Sequence, residues 1–397
     1  MLNRNTAALR ANRVFRAAED CDLADFAALT ARVTDLADWP MAADVQKNVL
    51  VYDGAALRPR LAEGGFVRML KAEWAEALAS GPGVVVLKGA EDDRAMLDHA
   101  SDMFRAMIAE QNRTGTGGGD HFARPGANDR LWNALEKHCL ADPANFARYY
   151  GNPFLALISE AWLGPYYQMT AQLNVVNPGG AAQSAHRDYH LGFQSPADIA
   201  SYPLHVQTMS PYLTLQGAIA HVDAPLETGP TLLLPYSQLY PPGYLAMGRP
   251  DFRAYFEAHH VQLPLEKGDM LFFSPALFHA AGANRSADVK RMVNLFQVSS
   301  AYGRAMETVD RSRMVKALYP ALLAGQADGS LTAGQIACAI AASAEGYPFP
   351  TNLDRDPPLG GMAPKSQARL VAEALAAGWA ADRLNAALDA QAARRVS

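Results

Sequence analysis

His186-Arg187-Asp188-Tyr189-His190 is the stretch of this chain whose residue types could hold a metal ion. Side chains alternate along an extended segment, so His186 and Asp188 point to one side and can reach the same ion. A third ligand must come from elsewhere, and His279 is the candidate. It follows Gly268-Asp269-Met270-Leu271-Phe272-Phe273, which reads as a turn leading into a buried strand. Two imidazoles and one carboxylate on one side of a metal leave its other positions open, the donor set of non-haem Fe(II) oxygenases. H-x-D by itself is a common polar surface turn, so the order of the surrounding motifs carries the argument.

After His279 come Gly282, Asn284 and Ser286 in a G-x-N-x-S pattern, then Lys290-Arg291 opening a strand-like run from Met292 to Ser299. Between the histidines lies Glu227-Thr228-Gly229-Pro230-Thr231-Leu232-Leu233-Leu234-Pro235-Tyr236-Ser237. This ordered set, over roughly residues 80 to 300, resembles the phytanoyl-CoA dioxygenase family of Fe(II)/2-oxoglutarate oxygenases. The resemblance implies an enzyme that uses Fe(II), 2-oxoglutarate and O2, releases succinate and CO2, and hydroxylates an unactivated carbon of a small-molecule metabolite. Family halogenases have Ala or Gly in place of the carboxylate, so Asp188 points to hydroxylation rather than chlorination.

The distal carboxylate of 2-oxoglutarate needs a buried, permanently charged, forked partner, which arginine supplies. The family places it about 11 residues beyond the second histidine. Arg291 is 12 beyond His279 and is preferred to Arg285, with one residue inserted in the loop. It shares a strand face with Val293 and Leu295, which suits an inward position. Thr170, Gln172 and Asn174 form a polar stripe on the run Met169 to Asn177, and such a stripe fits a barrel interior that holds polar ligands. Asn174, and less directly Gln216 and Lys137, fall near family positions that approach the co-substrate. Two departures stand out. Ala281 replaces a hydroxyl residue, and the family's P-G-S-H is here Pro235-Tyr236-Ser237-Gln238. His190 lies near enough to the triad to touch substrate, whereas His221, His259 and His260 read as structural.

The elements that must position these residues are strands. From Tyr166 to Ser299, strand-like runs at 169–177, 183–189, 211–223, 231–235, 261–265, 269–274 and 290–299 are separated by turn residues, with no regular alternation with helices. That predicts a mainly β core with flanking helices, a cupin-like jelly roll or double-stranded β-helix. Val84-Val85-Val86-Leu87 supplies an eighth strand. Residues 1 to about 80 read mostly as helices, with Leu23, Phe26, Leu29 and Val33, then Phe66, Leu70, Trp74 and Leu78, as core stripes. Helices are also expected over 92–108, 131–138 and 145–163. Residues 111–131, rich in glycine, read as a loop and a candidate lid over the site. Beyond 300 the expected helices are 310–323, 332–343 and 365–394, with an extended, proline-rich segment at 347–358. The expected division is an oxygenase domain over 1–300, its core strands at about 83–89 and 166–299, and a helical extension over 301–397.

The chain has 397 residues, 50% hydrophobic and 19% charged, ample for a large core. A net charge of -5 argues against nucleic acid as an electrostatic partner. Cys21, Cys139 and Cys338 lie far apart with no metal-binding spacing, which suits a reduced, cytoplasmic protein. No secretory signal or membrane span is expected. The competing reading is a cupin-like metal-dependent hydrolase or isomerase that does not use 2-oxoglutarate.

Overall fold

A computed structural model describes residues 4–116 and 126–397. The chain gathers into two compact units. The first comprises Met1–Asp92, Gly118–Arg130 and Asn174–Phe296; the second comprises Asp93–Gly117, Leu131–Leu173 and Gln297–Ser397.

Ten strands occur among the described residues: β1 (Asp44–Gln46), β2 (Val49–Asp53), β3 (Val84–Lys88), β4 (Asn128–Leu131), β5 (Gln168–Val176), β6 (Thr214–Ala220), β7 (Leu232–Leu234), β8 (Met270–Phe273), β9 (Phe278–Ala280) and β10 (Arg291–Ser299). Eight form one sheet in the order β1-β2-β3-β8-β6-β10-β5-β4. β7 and β9 form a second, antiparallel pair. Isolated bridges extend that pair on both sides, His186 to His279 and Leu233 to Val261. A large sheet and a small one, with chemistry on the small one's inner face, make the jelly-roll core that the strand spacing predicts.

Strand alternation decides which residues face which core. Val49, Val51, Val84, Val86, Leu271 and Phe273 pack with Leu233 in one buried cluster between the sheets. Leu232, Leu234, Phe278 and Ala280 turn the other way, into a second cluster with Phe26, Tyr240, Tyr244, Phe252 and Phe256. His279, between Phe278 and Ala280, therefore faces inward. The turn before β8 depends on two residues. Gly268 has φ +89, and a Cβ there would lie 2.3 Å from the Glu91 carbonyl oxygen. Buried Asp269 accepts from Lys88 Nζ at 2.5 Å, Gly89 N at 2.8 Å and Glu266 N at 2.7 Å.

Several sequence expectations need correction. The described residues up to 80 are mostly helical, as expected, but they also include β1 and β2, which join the large sheet, β2 running parallel to β3. Val33 is 82% exposed: the helix carrying Phe26 ends at Thr30, so the stripe stops short of it. Residues 183–189 form no strand beyond the bridge at His186, and Tyr189 and His190 have φ +63 and +40. The helix Arg94–Thr114 and β4 take up both ends of the expected glycine-rich loop. The expected lid residues Gly117-Gly118-Gly119 lie outside the described residues. The last expected helix is two, Gln367–Ala376 and Ala381–Arg395, broken where Gly378 takes φ +61.

In the second unit His138 is fully buried among the rings of Phe104, Phe146, Tyr149 and Tyr150. Its Nε2 lies 2.8 Å from Asn145 Oδ1, and the Asn145 amide nitrogen donates to the Met96 carbonyl, so Nε2 carries the proton. Burial lowers the His138 pKa to about 4, the bond to Asn145 opposing it. The unfolded chain therefore binds the extra proton first as pH falls. Stability should drop between pH 6.5 and about 4, by up to about 3 kcal/mol at 1.36 kcal/mol per pK unit. Urea melts of the parent and His138→Gln across that window test this. The substitution should flatten the pH slope, and parallel slopes would refute the assignment.

Candidate metal centre

His186, Asp188 and His279 each offer a ligand atom, and the three atoms lie within 4.8 Å of one another. His186 Nε2 is 3.8 Å from Asp188 Oδ1, and His279 Nε2 is 3.4 Å from Asp188 Oδ2. The ring of Phe273 on β8 packs 4.7 Å from that of His279. His279 has only 6% of its side chain exposed and His186 has 28%, so the cluster is open to solvent on the His186 side.

The tautomers follow from geometry. His186 Nδ1 lies 2.8 Å from the Ser184 carbonyl oxygen, and His279 Nδ1 lies 2.8 Å from that of Leu277. A carbonyl can only accept, so each Nδ1 donates and each neutral ring turns its Nε2 lone pair toward the carboxylate. Burial, and then the nearby His279 ring, pull the His186 pKa below its usual value, which favours the neutral form. Burial would raise the Asp188 pKa, but a proton on either imidazole's Nε2, donated towards the carboxylate, and the Gln216 amide outweigh it and hold the carboxyl well below the usual range. Two lone pairs and an anion facing one point repel one another unless a cation sits among them. The donor set, two nitrogens and one oxygen, fits a divalent transition metal such as Fe(II).

The sequence candidates fall into three groups. Gln216, on β6 opposite Phe273, donates its amide nitrogen to Asp188 Oδ2. Arg291 is buried at 4% exposure, while Arg285 and Lys290 are exposed. Its Nη1 donates to the carbonyls of Thr228 at 3.0 Å and Gly282 at 3.3 Å. Phe296 stacks on Phe272, on the face away from Phe273, which leaves Arg291, Val293 and Leu295 on the inner face. No carboxylate pairs with Arg291 among the described residues, and burial alone lowers its pKa to about 10. Asn174 is buried with Oδ1 unpartnered. Its stripe partners behave otherwise, since Thr170 Oγ1 donates to the Gln297 carbonyl and Gln172 donates to the Gln297 side chain. Lys137 belongs to the second unit, on the helix Ala134–Ala141, partly buried and with its pKa lowered by that burial.

Sequence reasoning missed the part played by Arg187. It is buried, donating to the carbonyls of Ser237 at 2.6 Å and Tyr240 at 3.0 Å, with Tyr244 and Phe278 rings 5.3 and 5.2 Å away. Gly243 makes room for it, because a Cβ there would lie 2.0 Å from the guanidinium carbon. Ser237 Oγ in turn accepts from Phe278 N at 2.7 Å. The Pro-Tyr-Ser-Gln segment thus supports both ligand-bearing strips. His190 Nδ1 lies 3.0 Å from Ser210 Oγ.

A jelly roll with a His-Asp-His cluster on its inner face is a metalloprotein of the cupin kind. The family model described as phytanoyl-CoA dioxygenase (PhyH) matches residues 62–292, more than half of the chain, and the chain belongs to that family. Relatives include dioxygenase andF of Emericella variicolor, 27% identical over 148 residues, 35% of this chain and 45% of that one. Another is the iron/alpha-ketoglutarate-dependent dioxygenase ausU of Aspergillus calidoustus, 29% identical over 141 residues, 34% of this chain and 41% of that one. The matched part therefore spans less than half the length of these curated relatives. Similar solved structures include AviO1 from Streptomyces viridochromogenes, at 18% identity, TM-score 0.43, covering 59% of this chain and 97% of that one. The epimerase SnoN, in complex with Fe3+, alpha ketoglutarate and nogalamycin RO, is similar at 17% identity and TM-score 0.40, covering 60% and 85%.

Filling the cluster with a divalent cation should stabilise the fold. Mn(II), a redox-quiet stand-in, at 100 times its Kd should raise unfolding stability by about 2.7 kcal/mol. His186→Ala and His279→Ala should fold and lose that gain. A variant keeping the full Mn(II)-dependent rise would remove its histidine from the ligand set.

Proposed function

We propose that this chain is an Fe(II)- and 2-oxoglutarate-dependent dioxygenase that hydroxylates an unactivated carbon of a small-molecule metabolite, with His186, Asp188 and His279 as metal ligands. The observation that carries the reading is Arg291, an inward-facing buried guanidinium with no carboxylate partner among the described residues. A lone buried charge is unfavourable unless something completes it, and a hydrolase or isomerase site has no need of a second carboxylate there. With iron, 2-oxoglutarate and O2 bound, the centre supplies the oxidising chemistry: 2-oxoglutarate leaves as succinate and CO2, and one oxygen atom enters a substrate C–H bond.

The chain's own residues do the rest. Each Nδ1–H donates to a carbonyl, which orients the ring and leaves Nε2 to face the carboxylate. Asp188 fills the position that a halide would otherwise need, which favours hydroxylation. Arg291 offers its fork to the distal carboxylate, and the unpartnered Asn174 Oδ1 marks a second buried polar group suited to a polar ligand. Arg187, the basic residue beside the ligands, is turned onto backbone carbonyls and offers nothing to a CoA phosphate. That favours a small polar or amphipathic substrate over an acyl-CoA.

Arg291→Ala should raise the 2-oxoglutarate requirement roughly 30- to several-thousand-fold, the equivalent of about 2–5 kcal/mol for a lost buried charge-assisted contact. Mn(II) binding should survive. Arg291→Lys should recover only part, because an ammonium cannot match the planar fork, and Arg285→Ala should change little. The readout is 2-oxoglutarate-dependent succinate release across a panel of candidate substrates. An unchanged requirement in Arg291→Ala would remove Arg291 as the partner of the distal carboxylate, and a loss in Arg285→Ala instead would move that role to Arg285.

A further inference from the structure

The Asp188 backbone is fixed at two points: its N–H donates to the Pro275 carbonyl at 3.2 Å, and its own carbonyl accepts from the Tyr244 hydroxyl at 3.1 Å. Its carboxylate is not fixed that way. The segment around it belongs to no strand, so no sheet ladder holds the side-chain torsions. Histidines apart, one side chain among the described residues donates to that carboxylate, and it is Gln216. We propose that Gln216 is a positioning residue of the metal centre, its amide fixing the rotation of the Asp188 carboxylate so that the oxygens face His186 and His279.

Gln216 is suited to this. β6 is paired to β8, Gln216 opposite Phe273, so one rigid pair of strands carries both the amide that fixes Asp188 and the ring that packs on His279. Gln216 is 6% exposed, and its Oε1 is buried without a partner. A half-satisfied amide inside a sheet is unfavourable for stability alone, so packing gives no reason for a glutamine at this position. An amide donates without bringing charge. A glutamate there would repel Asp188, and a lysine would neutralise the carboxylate that a cation needs. This role differs from the co-substrate contact expected from the sequence.

The inference rests on reading the triad as a metal site, and the test separates the two. Gln216→Met keeps the length of the side chain and removes the donor. Calorimetric titration with Mn(II) should show affinity weakened 10- to 100-fold, the usual effect of losing a partner behind a metal ligand, while the metal-free unfolding midpoint stays the same or rises. The visible spectrum of the Co(II)-loaded protein should shift in Gln216→Met, a change that loss of packing elsewhere would not produce. At saturating metal, 2-oxoglutarate affinity should stay the same. Mn(II) affinity within twofold of the parent, or weakening confined to 2-oxoglutarate, would overturn the proposal and make Gln216 a co-substrate contact. A parent protein that binds no Mn(II) would instead overturn the metal reading itself.

Discussion

The site depends on an electrostatic conflict: two imidazoles and a carboxylate are held around one point, where a proton or a metal ion is needed to offset it. Two imidazoles commit their Nδ1 protons to backbone carbonyls and so aim lone pairs at a carboxylate. Lone pair against anion is repulsive, and the fold holds the three atoms together through elements that also bury His279. The surrounding architecture serves that juxtaposition. β9 presents His279 inward by strand alternation, its neighbours Phe278 and Ala280 anchor in the opposite core, and the His186–His279 bridge brings the H-x-D segment alongside. Arg187 and Ser237 then tie the three segments together from behind.

A second constraint is the inward arginine. Arg291 opens β10, its Nη1 held by the carbonyls of Thr228 and Gly282. These belong to the two loops that the sequence reading singled out, the one before β7 and the one after His279. The backbone carbonyls of the loops thus fix a guanidinium. An unpaired buried cation on the large sheet and a metal-ligand cluster on the small one are complementary to a ligand that carries a carboxylate at one end and chelates metal at the other.

Much of this was legible in the sequence, and the reasons are local. H-x-D and the strand after Gly268-Asp269 singled out His186, Asp188 and His279 only together with the ordered family motifs, and the structure brings the three together. Arg291 was preferred to Arg285 on the family's spacing after the second histidine, and the structure buries Arg291 and leaves Arg285 exposed. What the sequence hid was tertiary. β1 and β2 were masked by flanking helical stretches, and their pairing with β3 comes from distant residues. The segment around Asp188 looked like a strand but forms an isolated bridge at His186, and it ends where Tyr189 and His190 take positive φ. Gln216 carried polarity in a buried strand but no signal of its partner, and nothing near Arg187 in sequence signalled its burial, for which Gly243 leaves space.

The central claim is that this cluster binds Fe(II) and that 2-oxoglutarate then chelates the bound metal. Anaerobic titration, Fe(II) first and 2-oxoglutarate second, addresses it without knowledge of the substrate. A weak visible charge-transfer band should appear only when both are present, and it should be lost in His279→Ala. Iron binding with no band on adding 2-oxoglutarate, or a band that persists in His279→Ala, would contradict the account.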